Sequence, residues 1–173
     1  MDKRLHIMRG IPGSGKSHRA MELAGGGPNN IFSADNHFMK DGVYCFDPDQ
    51  LWPAHKSCRY NSTKAMRAGQ PVVIIDNTNI RIKDMVPYVA EGWCNDYKVT
   101  LEEPTSPWWV EKVKPCLDDR ENEFRVIRVA DLLFEKNVHG VPLSAITDMI
   151  KRWQHCTVVD IYDRIFGPDH GLS

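Results

Sequence analysis

The sequence predicts an α/β fold built around a central parallel sheet of four to five strands, with helices in layers on either side. Three observations predict it. Short apolar runs alternate with longer helical patterns along the chain. The stretch Pro71-Val72-Val73-Ile74-Ile75-Asp76 holds consecutive β-branched residues, as in a strand buried on both faces. A glycine-rich loop from Gly10 to Ser17 joins the first apolar run to the first helical pattern.

The elements follow in order. Leu5-His6-Ile7-Met8 is a short strand, and a helix follows the glycine-rich loop to about Ala24. Gly25-Gly26-Gly27-Pro28 stops that helix and turns the chain. Ile31-Phe32-Ser33 is a second strand, which ends at Asp35. Asp47-Pro48-Asp49-Gln50 starts a helix, with Asp47 as N-cap and Pro48 in the first position. Pro53 removes a hydrogen bond there, so the regular helix begins nearer Leu51 or kinks. It ends at Gly69, before the Pro71 strand. Ile82 to about Asn95 reads as a helix and Tyr97 to Leu101 as a fourth strand. Glu111 to Lys136 reads as a helix interrupted at Pro115, and Leu143 to about His155 as another. Thr157-Val158-Val159-Asp160-Ile161 is expected to add a last strand.

Composition bounds the function. A chain of 173 residues, 42% hydrophobic and 26% charged, suits one domain across residues 1–173. No apolar run reaches the ~18 residues of a membrane helix. The amino-terminal stretch lacks a signal-peptide apolar core, which predicts an intracellular, cytoplasmic protein. The formal net charge of −1 argues against a grip on long nucleic acid and leaves room for contact with a nucleotide or a strand end. Cys45, Cys58, Cys94, Cys116 and Cys156 have no metal-ligand spacing and read as free thiols.

Gly10-Ile11-Pro12-Gly13-Ser14-Gly15-Lys16-Ser17 matches G-x-x-x-x-G-K-[ST]. Glycines let successive backbone N–H groups turn inward on phosphate oxygens, and the next helix presents its positive end to the same anion. The pattern assigns ATP binding to Gly10, Pro12, Gly13, Ser14, Gly15, Lys16, Ser17 and His18. Lys16 reaches the outer phosphates, and Ser17 ligates magnesium.

Two carboxylates belong at the same edge. Ligands of open α/β sheets bind beyond the carboxyl ends of the strands. Asp35 follows the second strand and Asp76 ends the third. Asp76, after Val-Val-Ile-Ile, is expected to hold magnesium, and Asp35 to act as general base toward an attacking hydroxyl. Each is also a residue type that caps turns. Transfer has to exclude water, and residues from about 107 to 142 are the expected helical lid. Lys112, Lys114, Arg120, Arg125, Arg128 and Lys136 are its cations, and Trp108-Trp109 its candidate hinge brace. Trp52, Trp93 and Trp153 fall in helical patterns and are expected in the core.

Together, the phosphate loop, Phe32-Ser33-Ala34-Asp35, Ile74-Ile75-Asp76-Asn77-Thr78-Asn79 and Asn137-Val138-His139-Gly140-Val141-Pro142 resemble the polynucleotide kinase group of P-loop kinases. Asp41-Gly42-Val43-Tyr44 to Asp49, with Ala54-His55 and Lys64-Ala65-Met66, is most similar to the kinase-like modules of some ubiquitin-ligase-binding proteins. The resemblance implies a P-loop NTPase fold, ATP and magnesium as cofactors, and a 5′-hydroxyl of DNA or RNA as acceptor. It implies that Asp35 is the general base and that Asn77 and Asn79 lie beside metal and substrate. Asn36 and His37 stand near where the group often carries an arginine, on the acceptor side. Three further positions depart from the group's pattern. His18 replaces a threonine, Lys136 stands where arginine is usual, and Lys114 to Arg128 reads as an insertion. Lys136 keeps the charge without the bidentate fork, so Arg125 or Arg128 is the alternative lid cation. Two other readings of the same residues are a kinase for a small hydroxyl compound or nucleotide, and an ATP-binding interaction module with little turnover.

Overall fold

Hydrophobic side chains pointing to both faces of the sheet explain the architecture, which a computed structural model describes for residues 2–25 and 27–168. In chain order the elements are β1 (Arg4–Met8), α1 (Lys16–Leu23), β2 (Ile31–Phe32), β3 (Met39–Lys40), β4 (Val43–Tyr44), α2 (Leu51–Arg67), β5 (Val72–Ile75), α3 (Ile82–Cys94) and β6 (Lys98–Glu102). A π-helical turn over Trp109–Val113 runs into α4 (Lys114–Asp118), and α5 (Glu123–Lys136), α6 (Leu143–Lys151) and α7 (Val158–Phe166) follow. Four strands form one sheet in the order β2-β5-β1-β6, all parallel. Arg4 pairs with Val72 on one side and Lys98 on the other, so β1 lies inside the sheet. This is the three-layer α/β arrangement of P-loop nucleotide-binding proteins.

Side chains alternate across the sheet. Leu5, Ile7, Val73 and Ile75 pack with Met66, Met85, Val89 and Ile161 in a core shared by α2, α3 and α7. Met8 and Ile74 turn the other way, onto Ala20 and Leu23 of α1. A third core, with Trp109, Leu117, Val129, Leu133, Ile150 and Trp153, joins the π-helical turn, α4–α6 and the residues just after α6. Ile11 of the phosphate loop packs into that third core, which ties the helical segment to the loop.

Four expectations change. Thr157 to Ile161 is not a strand, because Thr157 and Asp160 form a capping box that opens α7. Ile161 and Tyr162 are then buried from a helical face. The chain does not break at Pro115: the π-helical turn over Trp109–Val113 runs on through it to Asp118. The break comes at residues 119–122 instead, where Asn122 caps α5. Helix α6 ends at Lys151, short of His155. Finally, Trp153 is buried, but Trp52 is 72% exposed, and Trp93 is half-exposed against Tyr162 and Phe166.

Pro53 is accommodated as foreseen. Pro48–Gln50 form a 3₁₀ turn capped by the Asp47 side chain, and the regular helix starts at Leu51. The β3–β4 hairpin went unread. Its turn is Asp41-Gly42 with φ of 51° and 81°, the positive pair a two-residue hairpin requires. Gly26 lies outside the described residues, so the turn proposed there is seen only from its flanks. All five cysteines are free.

Candidate functional site

The parallel strands deliver the expected residues to one edge. A cavity of about 440 Å³ opens beyond the carboxyl ends of β1, β2 and β5. Residues 11–18 form one wall of it, Asp35 and Asn77 a second, and residues 138–142 a third.

The loop is held from behind. Gly10 donates its N–H to the Thr78 carbonyl at 3.0 Å. Ser106 Oγ donates to the Ser14 carbonyl at 2.8 Å, and Trp108 Nε1 to the Gly13 carbonyl at 3.0 Å. In a trans peptide the carbonyl and the following N–H point apart. Holding the Ser14 carbonyl from outside therefore turns the Gly15 N–H the other way. Gly13 and Gly15 have φ of 80° and 88°, and a Cβ on Gly13 would lie 2.1 Å from the Leu133 carbonyl. Only glycine lets α5 approach this closely. Gly15 is the N-cap of α1 without a side-chain bond, and no acidic residue occupies the first turn. The first amides of α1 thus keep their free hydrogen-bonding capacity for an anion.

Lys16 lines the cavity, and its Nζ lies 2.5 Å from Asp76 Oδ1. Their side chains are only 10% and 7% exposed. Asp76 therefore meets the cavity through Lys16. Ser17 and His18 are exposed at the cavity wall, with His18 Nε2 3.4 Å from Glu22.

Asp35 lines the same cavity. Its backbone N–H bonds Ser33 Oγ, and its Oδ1 accepts the Tyr44 hydroxyl at 3.0 Å. Burial, with Asp35 as the next cause, pushes the Tyr44 phenol far above its ordinary value, so it remains a donor. The Tyr44 ring packs on His139, with centroids 4.6 Å apart. Lys136 also lines the cavity, its Nζ 4.3 Å from the centre of the Trp108 ring.

Other candidates stand elsewhere. Arg128 does not reach the cavity: it lines a separate depression with Glu111, Lys112 and Arg125, and stacks over Phe124. Its position on the exposed side of α5, away from buried Val126, Val129 and Ala130, accounts for this. Asn36 and His37 are exposed on the turn after β2 and do not line the cavity. Asn79 is buried, with its amide donating to the Met8 carbonyl at 2.7 Å, and does not line it either. Asn77 does, while accepting the Ala34 N–H at 2.8 Å and donating toward Cys58 and Tyr88. Both asparagines clamp strand ends, which leaves Asn79 no free donor direction.

Sequence reasoning missed Tyr44 and His55 as cavity residues, and Arg9 as a clamp. Arg9 is buried, donates to the carbonyls of Asn79, Ile80 and Gln154, and lies over the Trp153 ring. Burial lowers its pKa, and its bonds go to backbone oxygens. Asp-Gly at positions 41–42 was the available signal for the hairpin that carries Tyr44. No local signal marks Arg9 or the Trp108 bond to a residue 95 positions away.

The chain is similar to known proteins. A family profile described as an AAA domain matches residues 5–92, from β1 through most of α3. NEDD4-binding protein 2 of Homo sapiens is 36% identical over 158 residues, which cover 91% of this chain. The aligned region spans 8% of that relative's length. No helix of the described residues is long and apolar enough to cross a membrane. With a phosphate loop between a parallel strand and a helix, and the matched profile over half its length, the chain belongs to the AAA-domain family of P-loop, nucleotide-binding proteins of kinase type.

Proposed function

We propose that the protein is an ATP- and magnesium-dependent kinase that phosphorylates the 5′-hydroxyl end of DNA or RNA. One observation carries the reading: Lys16, Asp35 and Lys136 line a single cavity whose floor is the phosphate loop. An anion cradle, a carboxylate and a further cation are what phosphoryl transfer to a hydroxyl requires.

In this reading the loop binds the ATP phosphates through the backbone amides left free around Gly15 and the first turn of α1, and Lys16 neutralises the outer ones. Ser17 and Asp76 are the donors for magnesium. Among the described residues no group of three or more His, Cys, Asp or Glu side chains forms a metal site. That fits an ion held by one or two protein oxygens, substrate phosphates and water. Ser17 and Asp76 would hold the ion, which would supply positive charge to offset that of the phosphates. For Lys16 to reach a phosphate and Asp76 the ion, the pair seen here would have to part.

Tyr44 occupies Oδ1 of Asp35, which leaves Oδ2 to accept the proton of the attacking hydroxyl. The acceptor oxygen then bonds to the γ-phosphorus as the bond to the β–γ bridging oxygen breaks, and ADP leaves with that electron pair. Lys136, at the end of α5, stabilises the charge on the transferring group. Residues 107–142 act as the lid, with Ser106 and Trp108 bonding it to the loop, and the whole chain works as one domain. The relative's name describes a protein that binds NEDD4, and a protein-binding role for this chain stays secondary to the site. The near-neutral charge favours the second reading, a small hydroxyl acceptor.

An acceptor screen tests this. With γ-labelled ATP and magnesium, label should appear on 5′-hydroxyl oligonucleotides and not on 5′-phosphorylated ones. Label on small alcohols or nucleosides and never on oligonucleotides selects the second reading. Nucleotide binding without transfer to any acceptor selects the interaction module.

A further inference from the structure

Helix α2 carries a charge that the net value of the chain conceals. Its 17 residues include Lys56, Arg59, Lys64 and Arg67 and no aspartate or glutamate. Arg67 is paired with Glu91 at 2.7 Å. Among the described residues Lys56, Arg59 and Lys64 form no ion pair. Residues four and seven apart share a helix face. Trp52, Lys56, Arg59 and Tyr60 therefore lie on one side of α2. All are exposed, Trp52 at 72% and Tyr60 at 68%, with Lys56 Nζ 5.1 Å from the centre of the Trp52 ring. The aromatics stand about 12 Å apart along the helix, from its 1.5 Å rise per residue.

The stripe begins at the cavity. Leu51 and His55, on the adjoining face of the first turns of α2, line it together with Asp35. Asp47 and Asp49 lie in the turn before the helix, and the Asp47 side chain caps that turn. Exposed aromatics interleaved with unpaired cations are what single strands bind, through base stacking and phosphate contacts. A protein partner with an apolar face would instead meet two fixed cations that its surface must neutralise.

The geometry points to α2 as a track for single-stranded nucleic acid. Bases stack on Trp52 and Tyr60, phosphates lie on Lys56 and Arg59, and the 5′ end enters the cavity past His55. The track rests on the polynucleotide reading above and deepens it, because the acceptor becomes a strand of several nucleotides rather than a mononucleotide.

The test is fluorescence anisotropy of a 3′-labelled, 12-nucleotide single-stranded DNA with a free 5′-hydroxyl, titrated with the intact chain over a salt series. Phosphoryl transfer to the same oligonucleotide is followed in parallel, and circular dichroism checks each variant. Trp52→Ala and Tyr60→Ala should each weaken binding roughly tenfold. Lys56→Ala with Arg59→Ala should flatten the slope of log affinity against log salt by about 1.4, at about 0.7 per cation. Variants that bind and respond to salt as the wild type does overturn the track, even where 5′ transfer proceeds. Variant-sensitive binding without transfer supports the track and removes the kinase reading. Failure of the wild type to bind any strand, or binding of anionic vesicles in its place, also overturns the track.

Discussion

The Lys16 ammonium stands 2.5 Å from Asp76 Oδ1, although the two residues are 60 positions apart and belong to different crossovers of the sheet. Parallel pairing of β1 with β5 brings them together. Both charges are largely withdrawn from water, so each is compensated chiefly by the other. Breaking such a pair from one side costs more than removing it whole. Lys16→Met or Asp76→Leu alone should lower the free energy of unfolding by about 3 kcal/mol. The double variant should lose clearly less than the sum. Urea unfolding of the four proteins gives the coupling energy directly. Additive losses would mean that the pair is not coupled in solution.

Lys136 and Arg128 make opposite predictions. Lys136 reaches the cavity across the Trp108 ring, whereas Arg128 faces another depression. A cation aimed at the transferring phosphoryl group lowers the barrier by several kcal/mol, and about 100-fold in kcat is expected for Lys136→Ala. Arg128→Ala should stay within about twofold of wild type, as exposed substitutions away from a site do. Steady-state kinetics with ATP and a 5′-hydroxyl oligonucleotide separates the two. An unchanged rate for Lys136→Ala, with a loss for Arg128→Ala or Arg125→Ala, would move the lid cation.

Tyr44 positions Asp35 without touching the reacting atoms. Its phenol remains protonated because burial and the adjacent carboxylate both oppose ionisation. Tyr44→Phe removes the 3.0 Å bond and keeps the ring that packs on His139. The lost bond is worth about 1 kcal/mol or somewhat more, since the acceptor is charged. A fall of roughly fivefold to tenfold in kcat follows, with little change in KM for ATP. A rate equal to wild type would show that Asp35 holds its position unaided.

The capping box of α7 is a stability element. Asp160 accepts the Thr157 N–H and hydroxyl, which hold its carboxyl below the ordinary range. A depressed carboxylate stabilises the fold above its unfolded pKa and loses that contribution as pH falls through the folded value. Thr157→Ala removes the hydroxyl that caps the Asp160 N–H and bonds its carboxylate, and should cost about 1 kcal/mol at pH 7. The gap to wild type should narrow as the pH drops below about 4. Thermal unfolding at pH 7 and pH 3 measures both. An equal gap at the two pH values would contradict the assignment.

The same residues show where sequence reading succeeds and where it stops. The phosphate loop, the β5 run and Asp76 were legible because their backbone conformations follow from local chemistry: glycines with positive φ, consecutive β-branched side chains, a carboxylate at a strand end. Thr157-Val158-Val159 looked like a strand for that same β-branched reason, and the cap three residues on from Thr157 overrode it. Asn77 and Asn79 were expected beside metal and substrate; Asn77 lines the cavity and Asn79 does not, and only the fold reveals that their side chains hold backbone groups. Contacts between distant segments left no trace in the sequence, Trp108 against Gly13 and Arg9 against Gln154 among them. Trp52 shows the reverse error, since its helical spacing resembled a core position and its side chain faces water.

Asp35, as base, would accept the proton of a hydroxyl held in the phosphate-loop cavity. Single-turnover transfer of labelled γ-phosphate to a 5′-hydroxyl oligonucleotide, wild type against Asp35→Asn, tests it most directly, with ATP affinity measured in both. The wild type should transfer the label, and the variant should lose about 100-fold or more with ATP affinity kept. Equal transfer by the two proteins, or none by the wild type while it binds ATP, would contradict it.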